Sequence, residues 1–192
     1  MTRIAIVDGH PDADRARFLH ALADAYAEGA AEAGHEVRRI EVAVLDFQLL
    51  RSQQDWEKGA APADIAAAQE TIAWAEHIVI LYPLWLGDVP ALLKAFLEQL
   101  ARPSFAFRYR DKGFPEKLLA GRSARVIVTM GMPGLFYKLV YRAHSVKSLE
   151  RNILKFVGIN PVATTVIGAV AGPPEKRAEW LETVRELGRE AA

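Results

Sequence analysis

Residues 77–100 read HIVILYPLWLGDVPALLKAFLEQL, and the fold turns on this stretch. Ile78 to Tyr82 is a short apolar run rich in branched side chains, the pattern of a β-strand buried on both faces. Pro83 offers no N–H to a ladder and marks the end of that strand. Leu84-Trp85-Leu86-Gly87 then sets large apolar residues where a solvated loop is expected. Asp88 stands where a helix N-cap belongs, and Pro90 suits an early helical turn. Leu92, Leu93, Phe96, Leu97 and Leu100 recur at helical spacing. A buried parallel strand therefore passes into a helix through an apolar loop carrying a tryptophan.

The flanking chain repeats this alternation. Arg3 to Asp8 reads as a first strand, and Phe18, Leu19, Leu22, Tyr26 and Ala30 mark a helix ended by Gly34. His35 to Val42 is a weakly alternating second strand, Arg51 to Ala61 an irregular excursion, and Pro62 opens an alanine-rich helix through Glu76. Ser104 to Gly113, alternating aromatic and basic, is too short for a full element. Ser123 to Thr129 is a fourth strand, and a helix near Ser145 to Val157 ends at Gly158. Asn160 to Ile167 is a fifth strand, and Glu175 to Leu187 is a closing helix with Trp180, Leu181, Val184 and Leu187 on one side. Strands separated by helices predict an α/β fold: a doubly wound parallel sheet of five strands in the order 2-1-3-4-5, helices on both faces. The 192 residues, with no internal repeat or linker, suit a single domain.

Composition narrows the chemistry. Lys and Arg number 24 against 24 Asp and Glu, so no general pull toward nucleic acid or an anionic membrane is expected. The absence of cysteine excludes disulfides, thiolate nucleophiles and Cys-ligated metals. No apolar run approaches membrane-spanning length and the opening run is short for a signal peptide, so the expected location is the cytoplasm. His20, His35 and His77 show no metal-ligand spacing, and no H-E-x-x-H, G-x-S-x-G or paired-carboxylate pattern is present, so no metal is expected.

Ligands of such sheets bind beyond the carboxyl ends of the strands. The loop of Trp85 and Leu86 suits a flat, uncharged ligand part, for which a flavin ring is the candidate. The loop after the first strand, Gly9 to Arg17, ends at a helix mouth that favours an anion, with Arg15 and Arg17 as added donors. The competing reading has Asp14 capping the helix and both arginines solvated. No G-x-G-x-x-G follows this strand and no P-loop occurs. Thr129-Met130-Gly131-Met132 turns at the same edge, with Gly131 leaving room for backbone N–H groups to approach a ligand. Tyr137, Tyr141 and His144 follow as possible donors to developing negative charge. A redox cofactor carries the reactive atom itself, leaving the protein to bind and orient it.

These pieces, namely Gly9-His10-Pro11, Pro83-Leu84-Trp85-Leu86-Gly87 with Val89-Pro90-Ala91-Leu92-Leu93-Lys94, Phe105-Ala106-Phe107, Thr129-Met130-Gly131 and Phe156-Val157-Gly158, resemble the flavodoxin-like NAD(P)H:quinone oxidoreductases over almost the whole chain. The resemblance implies that His10, Arg15, Arg17 and Phe18 flank the flavin phosphates. Pro83, Leu84, Trp85 and Leu86 would meet the ring and ribityl chain, and Thr129, Met130, Gly131 and Met132 the pyrimidine end. By the same likeness Tyr137 and His144 would stabilise the reduced flavin. Phe107 and Tyr109 would reach across a homodimer to wall, with Trp85, the partner's substrate site. The expected cofactor is FAD, with Arg177 near its adenine, and FMN the alternative. NAD(P)H is the expected donor and a quinone the expected acceptor, served in turn by one apolar slot.

Two departures from the family pattern stand out. Arg17 occupies the place of a phosphate-binding serine or threonine, and Met132-Pro133 replaces a glycine-rich turn. One extra residue also separates Tyr137 from His144, which makes Tyr141 a rival. Alternatives within the likeness are an azo or nitro acceptor, a regulatory flavin- or nucleotide-binding subunit of a potassium efflux system, and a one-electron carrier.

Overall fold

A computed structural model describes residues 1–192. In chain order it runs β1 (Arg3–Asp8), α1 (Phe18–Glu32), β2 (Glu36–Glu41), α2 (Gln53–Lys58), α3 (Ala63–Trp74), β3 (His77–Pro83), α4 (Ala91–Leu100), β4 (Phe107–Arg108) and β5 (Glu116–Lys117). It continues through β6 (Ser123–Thr129), α5 (Gly134–Leu139), α6 (His144–Ser148), a π-helical turn over Leu149–Leu154, α7 (Lys155–Val157), β7 (Val162–Ile167) and α8 (Pro174–Arg189).

The main sheet has five parallel strands in the order β2-β1-β3-β6-β7, the order expected from the alternation. Side chains of a strand point alternately to the two faces. Ile4 and Ile6 of β1 and Val79 and Leu81 of β3 accordingly pack on one face against Leu19, Leu22 and Tyr26 of α1 and Val184 of α8. Ala5, Val7, Ile78, Ile80 and Tyr82 face the other side, against Ile65, Ile72, Leu93, Phe96 and Leu97. Each fully buried Leu, Ile or Phe in these layers contributes roughly 1.5–3 kcal/mol. The chain leaves β1 for β2 on one side and β3 on the other, which opens a crevice beyond their carboxyl ends. No helix is long and apolar enough to cross a membrane.

Prolines introduce four helices: Pro62, Pro90, Pro133 and Pro173 each occupy the N-cap, with φ between −59° and −53°. The fixed ring torsion gives each helix an extended approach. Asp88 therefore does not cap α4. It is instead spent on a hairpin turn, exchanging two backbone hydrogen bonds with Trp85, each 3.0 Å. The excursion expected to be irregular contains α2, capped by Ser52, whose hydroxyl oxygen accepts the Asp55 N–H at 3.0 Å. Arg102 ties that excursion to α4: its guanidinium donates to the carbonyls of Asp55 and Gly59 at 2.7 and 2.8 Å and to Gln99 Oε1. The aromatic-basic stretch forms a small antiparallel ribbon, Phe107 opposite Lys117 and Arg108 opposite Glu116.

Candidate flavin site

Three loops meet beyond the carboxyl ends of β1, β3 and β6. Leu84 donates its N–H to the Thr129 carbonyl at 2.7 Å, so the Trp85 loop and the 130–133 turn leave the sheet side by side. The Trp85 indole lies edge-on to His10, with ring centroids 6.2 Å apart at 82°. Trp85 is half exposed and Leu86 fully so, an unusual display for such apolar residues. Leu86 and Gly87 both have positive φ, 48° and 82°, the backbone of a type I′ turn. For leucine the left-handed region costs roughly 1–2 kcal/mol, a strain located at the apolar tip.

The turn after β6 is pinned by its own backbone. Met130 donates to the Ile167 carbonyl, Val170 to that of Met130, and Ala169 to that of Met132. The N–H groups of Gly131 and Met132 donate to no acceptor of the chain, and a Cβ on Gly131 would meet nothing within 4 Å. Met130 is buried, whereas Gly131 faces outward. Pro83 is the last residue of β3 and is paired with Thr129.

The loop between β1 and α1 differs from expectation. Arg15 is engaged by Asp24 in a bidentate pair at 2.8 and 2.7 Å, and Arg17 by Asp12 through Nε at 2.8 Å and a terminal nitrogen at 2.7 Å. Both guanidiniums are half exposed and already paired, so a phosphate would share them with Asp24 and Asp12. Asp14 accepts the Ala16 N–H at 3.0 Å instead of capping α1, and Arg17 occupies the N-cap with no side-chain bond. The N–H groups of Phe18 and Leu19 point out of the helix mouth without acceptors. His10 is almost wholly buried, and burial pushes its pKa below the ordinary histidine value, as does the neighbouring His20. Asp12 and Asp8 pull the other way.

Sequence reasoning passed over Asp8 and His20, which lie beneath this loop, their side chains 2.5 Å apart and both buried. The available signal was an acid ending an otherwise apolar strand: a carboxylate so placed needs a partner.

Of the candidate donors, Tyr137 is withdrawn. Its phenol is fully buried, 2.6 Å from Ser145 Oγ, and accepts the Val146 N–H at 3.3 Å. Tyr141 and His144 are exposed, with their rings stacked at 6.2 Å, and the Tyr141 carbonyl lies 2.9 Å from His144 Nδ1. Between them Arg142 and Ala143 both have positive φ, which turns the chain sharply. Phe107 is likewise not free to reach a partner. It is buried in its own chain among Trp56, Tyr109 and Phe156, while Tyr109 remains more than half exposed. These aromatics line a cleft of about 710 Å³ that also touches Lys94, Ser148 and Ile153. The same three residues border a second cleft, of about 440 Å³, against Trp85 and Leu86, so the two adjoin. Arg177 lies exposed at the end of the first turn of α8. No cluster of metal-ligating side chains occurs.

Comparison with known proteins agrees with this architecture. A family model described as flavodoxin-like fold matches residues 2–189. A Listeria monocytogenes protein named FMN-dependent NADH:quinone oxidoreductase 2 is 30% identical over 169 residues, covering 79% of this chain and 76% of its own. The rat NAD(P)H dehydrogenase (quinone) 1 is 26% identical over 208 residues, covering 94% of this chain and 74% of its own. The solved structure of an NAD(P)H:quinone oxidoreductase from Methanothermobacter marburgensis superposes with a TM-score of 0.83 at 25% identity, covering 100% of this chain and 99% of the other.

Proposed function

The chain belongs to the Flavodoxin_2 family of flavodoxin-like proteins, and from that premise we propose that it is a flavin-dependent NAD(P)H:quinone oxidoreductase. The observation that carries the reading is the convergence of His10, Trp85 and the Gly131–Met132 turn on one crevice, with N–H donors at both of its ends left unengaged. A flavin bound there supplies two-electron chemistry, accepting hydride from NAD(P)H and delivering it to a quinone. The residues suit each part of such a group. The Phe18 and Leu19 N–H groups and His10 offer donors to a phosphate, Pro83 to Leu86 offer an apolar wall, and the Gly131 and Met132 N–H groups offer donors to the ring's carbonyl side. His144 and Tyr141 take the role of donors to negative charge, Tyr141 replacing the buried Tyr137.

FMN is the proposed form, in place of the FAD expected from Arg177. The Listeria relative is named FMN-dependent. The loop after β1 also presents one helix mouth, and its two arginines are already paired with Asp24 and Asp12, a donor set scaled to a single phosphate. A homodimer with shared active sites is supported by the aromatic cleft beside Tyr109, continuous with the Trp85 loop through Lys94 and Ser148. A cytoplasmic location is part of the same proposal, since the proposed nicotinamide donor is available there.

The purified protein is expected to be yellow and to release FMN by mass spectrometry. It should oxidise NAD(P)H only when a quinone is supplied, with parallel-line kinetics from alternating use of one slot. A colourless protein that takes up no flavin on titration would overturn the assignment.

A further inference from the structure

His20 is the third residue of α1, and Asp8 is the last of β1. The His20 Nδ1 lies 2.5 Å from Asp8 Oδ2, and its Nε2 lies 2.9 Å from the Asp12 carbonyl oxygen. A carbonyl oxygen only accepts, so Nε2 carries a proton. The other Asp8 oxygen accepts the His10 N–H at 3.3 Å. One proton shared between Nδ1 and Asp8 Oδ2 ties the ring to the end of the strand. The buried pair is neutral as a whole, with the Nε2–H donor of His20 turned to the loop. That loop is the one whose arginines are already engaged by Asp24 and Asp12. The His10 ring lies 5.3 Å from that of His20, and the Asp12 N–H lies 3.0 Å from His10 Nδ1. His20 therefore grips the segment that sets His10, one turn from the free N–H groups of Phe18 and Leu19.

We propose that His20, held in place by Asp8, is a positioning residue that gives this crevice its selectivity for a phosphate monoester on the flavin. It does so by engaging the Asp12 carbonyl, which fixes the loop that carries His10 and ends at the helix mouth. The inference rests on the flavin assignment and deepens it.

FMN and riboflavin, which differ only by the phosphate, are the probes. In His20→Gln the FMN dissociation constant is expected to rise at least about tenfold while that of riboflavin changes less than about twofold. Removal of one half of a buried pair can unfold a protein, so the double variant Asp8→Leu/His20→Leu, apolar on both sides, serves as the folded control and should show the same selective loss. Nitrogen-15 spectra of the parent protein should show Nε2 of His20 protonated. An unprotonated Nε2, or an unchanged preference for FMN over riboflavin in a folded variant, would overturn the proposal and leave the flavin assignment standing. A parent protein that binds neither flavin would overturn both.

Discussion

Gly29 of α1 and Arg185 of α8 approach so closely that a Cβ on Gly29 would lie 1.9 Å from the Arg185 carbonyl oxygen. Gly188 makes the reciprocal approach, its Cβ position 2.2 Å from the Tyr26 carbonyl oxygen. Glycine inside a helix normally costs about 0.5–1 kcal/mol relative to alanine. Here the sign reverses: Gly29→Ala should destabilise the protein by about 1–3 kcal/mol because two helix backbones must separate. Urea unfolding of the variant measures it, and increased stability would mean that the helices are not in backbone contact.

Leu86→Asn relieves the left-handed strain at the turn tip, since asparagine tolerates that region. The variant should gain about 1 kcal/mol in thermal or urea unfolding and bind flavin or quinone less well, having lost the apolar tip. A gain on both counts would show that the exposed leucine serves neither ligand.

Trp85→Ala removes a half-exposed indole whose close aromatic neighbour is His10. Flavin retention and quinone turnover should fall by about tenfold or more, the equivalent of one lost aromatic contact, while the melting temperature moves only slightly. Equal losses in all three would mark the tryptophan as core.

The two tyrosines should separate cleanly. Tyr137→Phe leaves the Ser145 hydroxyl without its buried partner and should cost about 1–3 kcal/mol of stability. Its turnover per flavin-loaded molecule should stay near that of the parent. Tyr141→Phe should leave stability unchanged and slow turnover, read by stopped-flow reoxidation with quinone. The reverse pattern would return the donor role to Tyr137.

His77, buried at the start of β3 with Nδ1 2.8 Å from Ser123 Oγ, is pushed by burial, and by the charge of Arg125, from 6.5 down to about 4. Between those values the unfolded chain holds a proton that the folded one does not, so stability rises with pH across this window and falls on acidification. The loss between pH 7 and pH 4 amounts to about 3 kcal/mol. In His77→Gln this component should vanish from unfolding curves taken at the two pH values, and identical curves for parent and variant would refute it.

The sheet was legible because its strands are apolar runs whose type does not depend on distant residues: Ile78 to Tyr82 and Ser123 to Thr129 fall within or coincide with β3 and β6. The apolar loop at Trp85 was legible for the same reason, as a departure from what solvent favours. Side-chain commitments were not. Arg15 finds its partner nine residues on and Arg39 shares that same Asp24, choices made by tertiary approach. Asp88 has the composition of a cap, but the Leu86-Gly87 turn claims it first. Burial of Tyr137 and Phe107 likewise depends on how α5 and the β4–β5 ribbon fold back, and neither element has a periodic signal of its own at six and two residues.

The π turn between α6 and α7 works as a vernier in the winding of one nearly continuous helical segment. Each residue of an α-helix advances the face by about 100°, so an extra residue held in that turn resets the angle between the helical turns on its two sides. Deleting one residue from Leu149–Leu154 would restore regular winding and swing either His144 or Phe156 away from its present bearing. The orientation of His144 relative to the aromatic cleft is thus set by a count of residues, and a change of segment length alone would be enough to retune it.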